Sequence, residues 1–234
     1  MTYFRYSPAI IDRYPAIIGG VIEARGVRND PTPQPLAALY EAQQAMSKAQ
    51  MERVAPSELP SLAAWRAAFR AFGVDPTQSR SAAESLLRRL SKQGDIPHIN
   101  TLVDLANLVS IRYGLPVAVF DTAQMVGGLR VDFAVGDERF ADLGSSESVN
   151  PQPGEVIFSD EAGIVHARRW CWRQSAQSAA RETTTDILIT VEGHHAAART
   201  DVEGARRDLL ALLSDYAGGT HTSALLDAAQ PVYS

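Results

Sequence analysis

The chain has 234 residues, a formal net charge of −5, 45% hydrophobic and 21% charged residues, and one cysteine, Cys171. That is enough apolar sequence for a substantial core. A single cysteine excludes an internal disulfide, and the acidic balance argues against a protein that coats nucleic acid through bulk positive charge. The sequence contains no run of about 18 apolar residues and no basic-then-apolar leader, so a cytoplasmic protein with neither membrane nor DNA partners is expected.

Residues 14–28 predict a strand-rich opening with a bend or bulge at Gly19-Gly20. Asn29 to Pro35 is a loop. From Leu36 to Val54 the pattern turns helical, with Leu36, Leu39, Tyr40 and Ala42 on one side. Ser61 is placed to cap a helix over Leu62–Phe72, in which Trp65, Phe69 and Phe72 form a core stripe rather than a platform for bases. Ser81–Leu90 and Asn100–Tyr113 follow as helices, the second stopped by Gly114 with Pro116 beyond it.

After Pro116 short strands take over, at Val117–Phe120, Leu129–Val135, Glu155–Phe158 and Asp186–Glu192. Val126-Gly127-Gly128 reads as a hairpin turn, too short to cradle a nucleotide. A last helix spans Asp201–Ala217, with Leu209, Leu210, Leu212 and Leu213 on its apolar face and Arg206-Arg207 on a solvated one. The tail 218–234 has no clear pattern. Helices crowd the first half and strands the second, which predicts an α+β fold, and no linker is long enough to divide 1–234 into more than one domain.

Few residues stand out as chemical. Asn100, Asp104 and Asn107 fall at i, i+4 and i+7 on one helix face among apolar neighbours. Buried polar groups need partners, so this stripe either ties the helix to adjacent backbone or faces a ligand. Arg168-Arg169-Trp170-Cys171-Trp172-Arg173-Gln174 interleaves arginines with tryptophans. It is either a phosphate- and base-binding segment or an edge strand with its tryptophans in the core. Cys171 with His166 lacks a third orienting residue for a thiol nucleophile. His194-His195, at a solvent-exposed strand end, lacks the companions of a metal site.

Asn100-Thr-Leu-Val-Asp104-Leu-Ala-Asn107, followed by Leu115-Pro116-Val-Ala-Val-Phe120-Asp121, resembles the signature of the editing domain in the beta chain of bacterial phenylalanyl-tRNA synthetases. The order of Leu129-Arg130-Val131, Gly136-Asp137-Glu138, Val156–Asp160 and Thr184–Leu188 agrees with it. The matching core covers about residues 80–195, and the flanks fit free-standing members. The resemblance implies a three-layer β/β/α sandwich, no metal or other cofactor, and hydrolysis of a wrong aminoacyl ester on tRNA by a positioned water. No protein group is assigned as catalyst.

Carried over by position, Asn107 matches a pocket asparagine, Asp121 matches the carboxylate closing the Phe-Asp element and is a candidate either for the substrate pocket or for fixing the helix, and Asn100 and Asp104 fix the helix. The family histidine is Ala118 here. The glutamate that reads a tyrosine hydroxyl in the synthetase aligns near Thr190, with Glu192 two residues on and on the same strand face. One branch of free-standing relatives acts on arginine tRNA charged with canavanine, a cationic side chain for which Glu138, Asp186 and Glu192 are candidate carboxylates. Arg168, Arg169, Trp170, Trp172 and Arg173 are candidate tRNA contacts. A non-catalytic module binding the tRNA end or a small molecule is the competing reading, and hydrolysis of another ester or amide is a third.

Overall fold

The computed structural model describes residues 3–144 and 147–234. The chain begins with strand β1 (Phe4–Tyr6), helix α1 (Pro8–Arg13) and strand β2 (Ile18–Arg25). Four helices follow: α2 (Gln34–Met51), α3 (Pro60–Ala71), α4 (Ala82–Gln93) and α5 (Thr101–Tyr113). Next come β3 (Val117–Asp121), β4 (Leu129–Phe133), β5 (Phe140–Ala141), β6 (Ser148–Val149), β7 (Val156–Ser159), β8 (Val165–Arg168), β9 (Arg173–Gln174) and β10 (Asp186–Gly193). Helix α6 (Ala198–Tyr216) and strands β11 (Thr220–Leu226) and β12 (Val232–Tyr233) complete the chain.

Among the described residues the strands form a six-stranded sheet, β12-β1-β4-β7-β8-β9, a four-stranded sheet, β11-β2-β10-β3, and the small pair β5-β6. The alternation of β10 explains the layering. Ile187, Ile189 and Val191 enter a core shared with Leu102, Leu105 and Val109 of α5 and with Val202, Leu209 and Leu213 of α6. Leu188 faces the opposite way, into a second core with Phe4, Val131, Phe158 and Trp170. Successive strand residues point to opposite faces, so this one strand is covered by helices on one side and by the larger sheet on the other. The fold is α+β, in three layers of sheet, sheet and helices.

Several elements differ from the sequence reading, each for a physical reason. No bend occurs at Gly19-Gly20: β2 pairs with β10 in unbroken register from Ile18↔Gly193 to Arg25↔Asp186. The glycines are needed for close approach instead, since a Cβ at Gly19 would overlap the Tyr6 hydroxyl and one at Gly20 would press on Val191 and Val202. Val126-Gly127-Gly128 is not a hairpin turn, because β3 and β4 belong to different sheets. The tail is ordered by pairing: β11 adds to β2 and β12 to β1.

Helix α3 starts at Pro60, one residue before Ser61, with Leu59 at the N-cap and no side-chain cap, and Ser61 is buried within it. On α2 the buried face is Leu36, Tyr40, Gln43, Gln44 and Ser47, while Leu39 is 45% exposed. The amides defeat a hydrophobicity count because their partners come from other elements: Gln44 brackets Ile96 through its backbone N–H and carbonyl, and Ser47 donates to the Ile111 carbonyl. Arg206 is not wholly solvated either, since it donates to Ser223 on β11.

Helix α5 is held by the polar residues at its start. Asn100 is the N-cap, accepting from Val103 N and donating to the Ala180 carbonyl. Asp104 is fully buried and accepts from Thr32 Oγ1 at 2.7 Å and Ile99 N at 3.0 Å, with His98 Nδ1 at 2.6 Å. Removing one member of such a set strands the others without partners. Asp104→Ala is therefore expected to cost about 3 kcal/mol of stability, read by urea denaturation, and a loss below about 1 kcal/mol would show the set to be dispensable. The same carboxylate raises the pKa of His98. That stabilisation is complete below the ordinary histidine pKa and is lost as pH rises through the higher folded value.

Candidate functional site

The two sheets do not close completely on each other. Between β3, β8 and β10 lies a cavity of about 70 Å³, whose lining includes Pro116, Ala118, Phe120, Phe158, Ala167, Trp170, Cys171, Thr190 and Glu192. Ala118 pairs directly opposite Thr190 across the β3–β10 ladder. The walls are mostly apolar and aromatic, with polar groups supplied by Thr190 and Glu192 of β10 and by Arg173 and Gln174 of β9.

Glu192 is the dominant charge. It is 2% exposed, and its backbone stands opposite Gly19 in the β2–β10 register. The missing side chain at Gly19 lets the Tyr6 ring lie across β2, so that Tyr6 Oη donates to Glu192 Oε1 at 2.7 Å. Trp170 Nε1 donates to the same oxygen at 3.2 Å. Both donors converge on Oε1. Burial pushes the carboxyl pKa up to about 7, against the opposing pull of these two hydrogen bonds. Burial and the neighbouring Glu192 also raise the Cys171 thiol well above its ordinary value, which keeps it protonated and a poor nucleophile. His166 is buried beside Asp160, and neither of its ring nitrogens has a hydrogen-bond partner, so no Cys171–His166 dyad forms.

Trp170 sits in an unusual backbone. Arg169 and Trp170 have φ of 45° and 59°, two consecutive side-chain-bearing residues in the left-handed region. The reversal breaks the strand after Arg168 and turns the Trp170 ring inward, where it meets Tyr14, Trp65 and His194 edge-on at 4.9–5.3 Å. His194 is accordingly packed among rings rather than solvent-exposed, and burial lowers its pKa to about 3, so it is neutral. His195 pairs with Asp201 at 2.7 Å. Among the described residues no group of three or more metal-ligating side chains occurs.

The arginine-tryptophan segment therefore divides. Trp170 is fully buried and offers no face to a base. Arg168 holds Glu155 through two hydrogen bonds of 2.8 Å. Arg169 and Arg173 lie over the Trp172 ring at 4.4 and 4.5 Å, Arg169 also reaching Ser79 and Arg173 reaching Asp142. With Arg168 at 5.9 Å, the indole is already engaged by three cations. Trp172 and Arg173 line the cavity mouth, so a guanidinium-bearing rim borders the Glu192 cavity.

The other sequence candidates are dispersed. Thr190 and Glu192 share the cavity, whereas Asn107 lines a neighbouring groove. Asp121 accepts from Thr184 Oγ1 and Ala123 N at the end of β3. Glu138 closes a turn by accepting from Val135 N and Gly136 N. Asp186 accepts from Gly26 N at the end of β10. Tyr6 was invisible to sequence reasoning, because nothing in a three-residue strand far from β10 marks it as a partner of Glu192.

The fold and cavity define a β/β/α domain with an inter-sheet pocket, and the family can be stated. A model of the B3/4 domain matches residues 64–218, more than half of the chain. The chain belongs to the B3/4 domain family. It is similar to the phenylalanine–tRNA ligase beta subunits of Cereibacter sphaeroides (38% identical over 110 residues, 44% of this chain and 12% of that one) and Nocardia farcinica (32% over 123 residues, 53% and 14%). The corresponding subunit of Shewanella oneidensis is 28% identical over 110 residues, 47% of this chain and 14% of that one. The matched stretch thus spans only a small part of each of these relatives. A solved N-terminal fragment of the Pyrococcus horikoshii phenylalanyl-tRNA synthetase beta subunit superposes with a TM-score of 0.49 at 12% identity, covering 93% of this chain and 49% of that one. Among the described residues no helix is long and apolar enough to cross a membrane.

Proposed function

We propose that this chain is an editing deacylase that hydrolyses the ester of a mischarged aminoacyl-tRNA, with the amino-acid side chain entering the inter-sheet cavity. The observation that carries this reading is Glu192, a buried carboxylate on the cavity wall whose Oε1 is held by Tyr6 and Trp170. A pocket built around a buried carboxylate favours a side chain bearing a hydrogen-bond donor, because an apolar occupant would desolvate that group without pairing it. A cationic donor would also draw Glu192 into its ionised form. Canavanine carried on arginine tRNA is therefore the leading substrate, and Glu192 is the one of the three candidate carboxylates that lines the cavity. Arg173 on the cavity wall, with Arg169 beside it over the Trp172 ring, suits the phosphates of the tRNA end.

The protein supplies no activated nucleophile at the cavity, so the chemistry assigned to it is positioning. An aminoacyl ester is already activated, and holding a water against its carbonyl can account for the acceleration. Purified protein incubated with a panel of mischarged tRNAs, canavanyl-tRNA(Arg) included, should release donor-bearing amino acids well above the buffer rate. If none is released faster than in buffer, catalysis is excluded. Ala118 favours a second reading, a non-catalytic binder of the tRNA end, since the cavity position opposite Thr190 has no basic group. Binding of uncharged tRNA without any deacylation would select that reading.

A further inference from the structure

Helix α2 packs inward on α5 and α4, and its opposite side faces outward. That outward side is apolar. Ala38, Ala42, Ala45 and Ala49 are exposed and recur at spacings of four, three and four, which sets them in one line along the helix. At about 100° per residue, Leu39 and Met46 fall together on one flank of the line, 45% and 68% exposed. Glu41 and Lys48 fall together on the other flank, both exposed. Among the described residues Lys48 has no ion-pair partner, and Glu41 meets only His98, at 3.5 Å. Exposed apolar residues scattered singly are ordinary, but six in one strip on a helix make a contact surface.

Symmetry selects the occupant. When two copies of one helix pair antiparallel about a two-fold axis, the rotation reverses the chain but keeps each flank on its own side, so each flank meets its counterpart. The alanine line is centred at the level between Gln43 and Gln44, which sets Ala42 against Ala45 of the second copy and Ala38 against Ala49. In that register Leu39 comes within two residues, about 3 Å along the axis, of Met46 of the second copy. On the other flank Glu41 comes equally close to Lys48 of the second copy, and the reciprocal pairs repeat both contacts. Apolar meets apolar and acid meets base, while the alanines let the axes approach to about 8 Å. A parallel pairing would set the Leu39–Met46 flank against the Glu41–Lys48 flank and lose both matches.

We propose that the outer face of α2 is a self-association surface, on which a second copy of this chain docks through an antiparallel α2–α2 contact. The contact line from Ala38 to Ala49 is about 17 Å long, short for a permanent interface, so the dimer is reversible and concentration-dependent. Sedimentation velocity of the full chain between about 2 and 200 μM, at low ionic strength where exposed charge pairs act most strongly, tests it. The wild type should pass from monomer to dimer over that range. In a homodimer Glu41→Lys and Lys48→Glu each bring like charges together twice, and each should raise the dissociation constant about tenfold. Mixed one to one, these two variants recover both ion pairs and should dimerise about as well as the wild type. Met46→Asp tests the apolar flank independently and should also weaken the dimer. All three sites are exposed, and thermal unfolding at low concentration checks the fold of each variant. A wild type that stays monomeric throughout overturns the proposal. So does a dimer that any of the three folded variants leaves unchanged, or a mixture that dimerises no better than its components.

Discussion

Replacing Glu192 with glutamine should flatten part of the pH dependence of stability and, under the proposed deacylase function, lower turnover at the same time. Burial raises this carboxyl from 4.5 to about 7, and at 1.36 kcal/mol per unit that is roughly 3 kcal/mol. The native state binds the extra proton, so stability falls as pH rises wherever the unfolded chain has already lost it. The contribution is complete below about pH 4.5, declines between there and about pH 7, and is absent above. Glutamine keeps an oxygen for Tyr6 and Trp170 but cannot ionise. Urea denaturation at pH 5 and pH 8 should therefore show a smaller difference for Glu192→Gln than for the wild type, and equal differences would mean that Glu192 is not the buried acid described. Loss of a charge-assisted hydrogen bond to a donor-bearing substrate is worth about 10- to 100-fold in rate. Unchanged turnover would remove the cavity from the reaction.

Trp170→Ala should be among the most damaging single substitutions, costing about 4 kcal/mol. The side chain is fully buried, packs edge-on against three rings and donates to Glu192. Its backbone adds a second, separable term. At φ of 59° a Cβ is strained by about 1–2 kcal/mol, so Trp170→Gly should be at least as stable as Trp170→Ala, the reverse of the usual order. Trp170→Phe keeps most of the packing and removes the donor. It should shift the carboxyl titration of Glu192 upward, because a hydrogen bond to the charged form has been lost. Chemical denaturation of the three variants and their pH profiles test this. A glycine variant clearly less stable than the alanine one would deny the strain.

Much of the helical layer was legible because its signals are local. Ser81 and Asn100 sit before their helices and Gly94 and Gly114 after them, and each cap works through bonds to residues three or four positions away. The apolar face of α5 and the alternation along β10 are equally local patterns. The α2 face was misjudged because Gln43, Gln44 and Ser47 are buried by partners distant in sequence. Trp170 and Trp172 carry the same residue type two positions apart. One is core and the other lies at the cavity mouth, because the left-handed turn at Arg169-Trp170 destroys the strand alternation that would have placed them together.

The sequence by itself determined the α+β composition, the family resemblance carried by Asn100–Asp121, and the presence of Thr190 and Glu192 on one strand face. These follow from periodicity and short-range chemistry. Only the tertiary structure decided that Tyr6 crosses Gly19 to reach Glu192, that the tail supplies β11 and β12, and that Asp121, Glu138 and Asp186 close turns and strand ends. It alone placed Thr190 and Glu192 on the wall of the inter-sheet cavity and Asn107 in a neighbouring groove. Those outcomes depend on which hydrogen-bond donors remain once distant segments have paired, and no local pattern contains that information.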